Sequence, residues 1–235
     1  FIMMKKVMSK PEKFKVFWKQ LLLEIEKVGI NSIGIVLFIS FFVGGVVSIQ
    51  TAINMSSPLL PQYLVGLASR DSLILEFSPT MISLILAGKV GSSIASELGS
   101  MRVSEQLDAL EIMGVNSASF LILPKIIATI FFFPFLVIIS MGIGMIGAWI
   151  GGLSVDVTTA DFLSGLKYDF NPFYVTYSLI KTVVFAFIIA SVSSYFGYYT
   201  KGGSIAVGKS STKAVVSSSI LILVCNFILT NLLLA

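Results

Sequence analysis

The chain has 235 residues, of which 56% are hydrophobic and only 12% charged; its mean hydropathy is +0.96 and its formal net charge is +4. A soluble domain of this length does not need so much apolar surface, and the apolar runs are long enough to cross a bilayer. There is no histidine and a single cysteine, Cys225, so the usual metal ligand and the usual general base are missing. We therefore predict an all-α integral membrane protein with no catalytic residues and no metal site. The net charge of +4 does not indicate binding to nucleic acid.

Residues 1–29 are predicted to be a cytoplasmic tail followed by an amphipathic helix in the membrane interface. Pro11 suits the first turn of a helix. Between residues 14 and 28, apolar side chains recur at intervals of three and four, while lysines and glutamates occupy the other faces. A basic helix with Trp18 on its apolar side is typical of one that lies in the interface. A soluble amphipathic helix is the alternative, and the membrane span that follows at once makes it the weaker one.

Residues 30–235 are predicted to form one domain with five membrane spans. Each apolar segment has about 20 residues or more, enough for a hydrocarbon core of roughly 30 Å. The expected spans are residues 30–53, 73–96, 122–152, 172–199 and 214–234. Polar loops are expected between them at 54–72, at 153–171 with a short helix near 160–168, and at 200–213.

The distribution of Lys and Arg predicts the orientation of the chain. Segments 1–29, 97–121 and 200–213, which the five-span topology places on one side, contain nearly all of these residues when Lys89 and Lys125 at their edges are included. Because short cytoplasmic segments carry the excess of positive charge, the N-terminus is expected in the cytoplasm and the C-terminus outside.

The segment between the second and third spans concentrates charge and small residues. Its second part predicts a short amphipathic helix at about 103–113, with Ser104 as the N-cap and Gly114 as the stop. This helix is acidic, although a helix on the cytoplasmic membrane surface should be basic. It either docks a partner with a basic surface or is a solvated connection, and the charge pattern leaves both open. The first part has small residues four apart, a pattern that lets two membrane helices approach closely: Ala87, Gly91, Ala95 and Gly99.

Residues 203–210, GSIAVGKS, match the phosphate-loop pattern G-x-x-x-x-G-K-[ST]. That loop needs a strand before it and a helix after it within an α/β domain, whereas a membrane helix is expected on each side here. We interpret the segment as a flexible basic cytoplasmic loop.

Glu76 and Lys181 are the ionisable residues predicted at membrane depth. A charge at the bilayer centre costs about 2.5–3.5 kcal/mol on insertion scales, so such residues usually face a cavity or a partner. Both are expected in the outer halves of their spans, where they line an outward-facing polar cavity or pair with each other. Alternatively, Glu76 lies at the interface and Lys181 snorkels to the outer surface.

Two long motifs carry a family resemblance. AGKVGSSIASELGSMRVSEQLDALEIMGVN, residues 87–116, resembles the signature of the MlaE/YrbE-type permeases of MCE-associated ABC transporters. LIKTVVFAFIIASVSSYFGYYTKGGSIAVGKSSTKAVVSSSILILVCNFILT, residues 179–230, resembles the last two spans of that family and their Gly-rich loop, where Lys209 is incidental. The match runs from about residue 28 onward. Phe77-Ser78 departs from the Leu-Gly that is usual before Pro79.

The resemblance implies an assembly and a cargo. It implies a homodimer in the bacterial inner membrane, a cytoplasmic ATPase that holds ATP and Mg and docks on the 103–113 helix, and a periplasmic MCE-domain protein. The cargo would be phospholipid, and this chain would hold no cofactor and catalyse no reaction. By the match, Glu76 and Lys181 lie near the lipid cavity. The residues assigned to ATPase coupling are Glu97, Arg102, Glu105, Asp108 and Glu111.

Two other functions stay open. A self-sufficient ion-coupled transporter or channel would use Glu76 and Lys181 and would show pH-dependent transport by this chain alone. A membrane scaffold would bind a partner and move nothing. The acidic helix favours the ABC permease.

Overall fold

The computed structural model describes residue 7, residues 14–56 and residues 60–234. Most of this part of the chain is helical and it contains no strand, so the predicted all-α fold class is confirmed. The tail predicted at residues 1–10, apart from Val7, and the helix start at Pro11 lie outside the described residues. Among the residues that the structure describes, five helical segments are long and apolar enough to cross a membrane: Val16–Asn54, Tyr63–Val103, Ser117–Leu153, Phe173–Tyr198 and Ser204–Leu234.

The described residues contain ten α-helices and three π-helical segments. The α-helices are α1 (Phe14–Ile25), α2 (Asn31–Asn54), α3 (Tyr63–Ser72), α4 (Ile82–Leu86), α5 (Ser92–Val103), α6 (Gln106–Ile112), α7 (Ser117–Leu153), α8 (Thr159–Lys167), α9 (Phe173–Tyr198) and α10 (Ser204–Leu234). The π-helical segments are Glu26–Ile30, Leu73–Met81 and Ala87–Gly91. Pro79 lies in the second of these, where its missing N–H interrupts the normal hydrogen-bond ladder.

Two regions that we expected to be loops are largely helical. The second membrane-crossing segment begins at Tyr63, within the expected loop 54–72, and the fifth begins at Ser204, within the expected loop 200–213. α3 forms because it packs on α8: a Cβ on Gly66 would lie 2.5 Å from the carbonyl oxygen of Phe162. Tertiary contact of this kind overrides the weak local helix preference of a Gly/Ser-containing stretch.

The short helix expected near 160–168 is α8. Its N-cap is Thr158, whose Oγ1 accepts a hydrogen bond of 3.1 Å from the backbone N–H of Asp161. This bond satisfies one of the N–H groups that a helix N-terminus leaves unpaired.

The chain forms two compact units. The first consists of Phe1–Ser32, Ser83–Phe133 and Val183–Ala235, and the second of Ile33–Ile82 and Pro134–Thr182. In the second unit, α2 and α7 approach so closely that backbone touches backbone. Its apolar core lies around Phe162, together with Val65, Leu73, Ala148 and Val157.

Glycines set the spacing between α2 and α7. A Cβ on Gly44 would lie 2.0 Å from the carbonyl oxygen of Gly144, and a Cβ on Gly147 would lie 2.0 Å from that of Phe41. Ser40 Oγ of α2 donates a 2.8 Å hydrogen bond to Ser140 Oγ of α7. Small residues allow this close approach, and the hydroxyl pair satisfies polar groups where water is absent.

Gly44→Ala is expected to destabilise the protein, because its methyl group would overlap the backbone of α7. We expect a loss of about 2 kcal/mol in the free energy of unfolding, measured as a lower midpoint of thermal unfolding in mild detergent. Gly34→Ala is the matched control, because it lies on the same helix and its Cβ would meet nothing within 4 Å. Equal midpoints for the two variants would contradict the close approach of α2 and α7.

Candidate docking helix and membrane-embedded ion pair

α6 is the short helix expected between the second and third spans, and it is shorter than the predicted 103–113. It begins after a turn in which Glu105 has a φ of +58°, in the left-handed region. The prediction that Ser104 caps the helix is wrong: its Oγ donates a 2.9 Å bond back to the carbonyl oxygen of Ser100 in α5. Serine hydroxyls commonly form such bonds to the preceding turn, and these compete with capping. Gly114, with a φ of +80°, follows the end of α6.

Side-chain bonds fix α6 to its neighbours. Leu107, a residue of α6, is fully buried. Arg102 Nη1 at the end of α5 lies 2.5 Å from Asp108 Oδ1. Glu111 Oε1 accepts hydrogen bonds of 2.9 Å from the hydroxyl of Tyr198 in α9 and from Oγ of Ser117 in α7. α6 is therefore tied to the ends of three membrane-crossing segments.

These bonds change the interpretation of the candidate coupling residues. Arg102, Asp108 and Glu111 hold α6 in place within this chain. Glu105 is exposed and makes no ion pair among residues 14–56 and 60–234. Glu97 belongs to a separate charged cluster on α5.

Two apolar residues at the end of α6 were missed by sequence reasoning. Ile112 is 86% exposed and Met113 is 68% exposed. The helical pattern placed the apolar face at residues 103, 107 and 110, and only Leu107 is fully buried. The available signal was a pair of large apolar residues directly before Gly114, at the end of an amphipathic helix. Ile112 and Met113 form a small apolar projection, which we call the α6 tip.

Lys125 is the centre of the charged cluster that contains Glu97. Its Nζ lies 2.6 Å from Glu24 Oε1 of α1 and 2.9 Å from Glu97 Oε2 of α5, and its side chain is 2% exposed. Lys27 Nζ adds a 3.3 Å contact to Glu97 Oε1. A buried ammonium needs such partners, because an unpaired charge in a low dielectric is costly. The cluster ties α1 to α5 and α7.

The interfacial placement of α1 stays a prediction; its Trp18 and Leu22 side chains are 49% and 62% exposed.

Glu76 and Lys181 are paired in the second unit. Lys181 Nζ lies 2.7 Å from Glu76 Oε1, 3.4 Å from the carbonyl oxygen of Leu75, and 4.4 Å from the centre of the Tyr177 ring. Thr80 Oγ1 donates a 3.2 Å hydrogen bond to Glu76 Oε2. The Lys181 side chain is fully buried, so it does not snorkel to a surface. The sequence left open whether Glu76 and Lys181 line a polar cavity, pair with each other or lie at the membrane surface; in the structure they pair.

The carboxylate of this pair is held by an irregular helix. Glu76 lies in the π-helical segment Leu73–Met81, and its side chain is 42% exposed. π-Helical turns often occur at functional sites. That the pair borders a lipid cavity stays a prediction.

The row of small residues on the second span lies against other helices of the first unit. Ala87 and Ala95 are fully buried. A Cβ on Gly91 would lie 2.8 Å from Oγ of Ser193 in α9, and one on Gly99 would lie 3.3 Å from a side-chain carbon of Val207 in α10. The missing Cβ atoms of Gly91 and Gly99 permit the contacts with α9 and α10.

The five membrane-crossing segments define a multi-pass integral membrane protein. The family model described as Permease MlaE matches residues 21–232, and the chain belongs to this family, as the two motifs predicted.

Several proteins are similar in sequence to most of this chain. A "Probable ABC transporter permease protein" of Rickettsia bellii is 37% identical over 227 residues, covering 96% of this chain and 86% of the relative. One of Synechocystis is 35% identical and covers 89% of this chain and 80% of the relative. "Protein TRIGALACTOSYLDIACYLGLYCEROL 1, chloroplastic" of Arabidopsis thaliana is 32% identical and covers 93% of this chain and 63% of the plant protein.

Proposed function

We propose that this permease is the membrane subunit of an ABC transporter and that a separate cytoplasmic ATPase docks on α6. The observation that carries this proposal is the α6 tip, two large apolar side chains exposed on a helix that is otherwise bonded to its own chain. Exposed apolar residues next to a polar rim are typical of a protein interface. The names of the Rickettsia and Synechocystis relatives support the same class of transporter.

The bonds around α6 offer a route for coupling. A partner that moves the α6 tip acts through the Arg102–Asp108 ion pair on α5. It acts through Glu111 on Ser117 at the start of α7 and on Tyr198 at the end of α9. ATP and Mg would be bound by the ATPase, and its closure would be passed to the ends of these helices. This chain would provide the path for the cargo and no catalytic group.

The proposed cargo is phospholipid, moved between the inner membrane and the outer envelope. The name of the plant relative contains that of a galactolipid, which supports a lipid as cargo. The Glu76–Lys181 pair would offer a charged contact to a headgroup at membrane depth, where ionisable residues commonly mark transport paths.

A second copy of this chain is proposed to cover the fifth segment. Only 11% of the most apolar window of Ser204–Leu234 is buried, against 33–56% for the other four. Phe227 and Leu232 are 72% and 74% exposed. In the proposed orientation the N-terminus and α6 are cytoplasmic, and the C-terminus and an MCE-domain partner are periplasmic.

Co-purification tests this assembly. The chain is expressed together with an ABC ATPase from the same organism, extracted in mild detergent and analysed by native mass spectrometry together with lipid analysis. The expected species contains two permeases, two ATPases and bound phospholipid. A permease that purifies without the ATPase and without lipid would overturn the proposal.

A further inference from the structure

A cavity of about 370 Å³ lies between the end of α9 and the first turns of α10, within the first unit. Tyr195 of α9 and Tyr199, which directly follows the end of α9, line one wall. Lys209 and Lys213, one turn apart on α10, line another, and Lys201 joins them from the connection between the helices. The cavity therefore combines an aromatic wall with three ammonium groups.

The positive charge of this cavity has no counterpart in the described protein. Lys201, Lys209 and Lys213 are exposed, and none of them forms an ion pair within residues 14–56 and 60–234. The sequence has no Asp or Glu after Asp169. Like charges four residues apart on a helix repel each other, so the arrangement is unfavourable without an anion. An anionic ligand would relieve this repulsion.

The position and walls of the cavity favour a lipid as the source of that anion. The cavity lies where one membrane-crossing segment ends and the next begins. Tyrosine rings prefer the membrane interface, and basic pockets between spans on the cytoplasmic side bind anionic headgroups. Tyr195 and Tyr199 are about half exposed and can contact the apolar part of a lipid while the lysines hold its phosphate. A free phosphate would use only the lysines.

The segment that matches the phosphate-loop pattern, residues 203–210, contributes to this cavity without forming a nucleotide loop. Lys209 and Ser210 of GSIAVGKS line the cavity, whereas Gly203 and Gly208 do not. A nucleotide loop uses the backbone N–H groups of its glycines, and neither glycine of the pattern lines this cavity. We propose that the cavity binds the phosphate group of an anionic phospholipid headgroup, a site separate from the transport path.

Binding can be measured with the full chain in nanodiscs of defined composition. The protein is placed in phosphatidylcholine nanodiscs containing a small fraction of phosphatidylglycerol, and the lipids that stay bound are counted by native mass spectrometry. The variant is K201Q/K209Q/K213Q, with K201R/K209R/K213R to restore charge. K167Q is the matched control, an exposed lysine on α8. A parallel arm adds inorganic phosphate as competitor.

We expect the wild type to retain phosphatidylglycerol over phosphatidylcholine. Each lysine removed should weaken that binding about fivefold, so the triple Gln variant should lose roughly a hundredfold, whereas the Arg variant and K167Q keep it. Equal retention by the triple Gln variant and the wild type would overturn the proposal. Complete displacement by millimolar inorganic phosphate would identify free phosphate as the ligand and overturn the lipid assignment.

Discussion

Ile112→Asp is expected to release the ATPase from the permease while the chain stays folded in the membrane. Ile112 is 86% exposed, so its replacement leaves no cavity in this chain. In the proposed interface, however, the new carboxylate would be buried in an apolar pocket of the partner without a counter-charge. Losing such an anchor weakens association by about 2 kcal/mol or more, roughly thirtyfold. The measurement is the amount of ATPase that co-purifies with tagged permease.

Ile205→Asp is the matched control for this experiment. Ile205 is 78% exposed in the first turn of α10, outside α6. The substitution Ile205→Asp introduces the same charge at a similarly exposed position and should leave the amount of co-purifying ATPase unchanged. Undiminished ATPase with Ile112→Asp, or an equal loss with Ile205→Asp, would contradict docking through the α6 tip.

Glu76→Gln is expected to destabilise the protein strongly, because it leaves Lys181 without its carboxylate. The Lys181 side chain is fully buried, and its remaining contacts include the carbonyl oxygen of Leu75 and the ring of Tyr177. Breaking one side of a buried ion pair costs about 3 kcal/mol. The measurement is the midpoint of thermal unfolding in mild detergent, with Glu26→Gln, an exposed glutamate, as control.

The double variant Glu76→Gln/Lys181→Met separates pairing from local packing. Removing both charges leaves no uncompensated ion, so most of the lost stability should return. If the double variant is as unstable as Glu76→Gln, the effect comes from the fit of Glu76 in its π-helical segment and the ion-pair account is wrong.

The membrane-crossing segments were predictable because hydropathy is a local property. Each span depends on about 20 consecutive residues, and each expected span overlaps one of the five membrane-crossing segments. The starts of the second and fifth segments were not predictable, because they depend on contacts with distant parts of the chain. Gly66, for example, allows α3 to pack on α8, which lies about 100 residues further along the chain.

The side-chain pairings of the candidate sites depend on tertiary structure in the same way. Glu76 and Lys181 are 105 residues apart, and sequence offered their pairing only as one of several arrangements. Glu111 was assigned to coupling by resemblance, but its bonds to Ser117 and Tyr198 follow from how α7 and α9 pack. Exposure of Ile112 was missed because helical periodicity shows which residues share a face and not which face is covered.

The most direct test of the account is lipid movement in reconstituted vesicles. The permease, either alone or together with the ATPase and the MCE-domain partner, is placed in vesicles that contain a labelled phospholipid. Transfer of the label to acceptor vesicles is followed with ATP, without ATP, and under an imposed pH gradient. We predict transfer that requires both ATP and the ATPase and does not respond to the gradient. Transport by this chain alone, driven by the pH gradient, would contradict the account and identify an ion-coupled transporter.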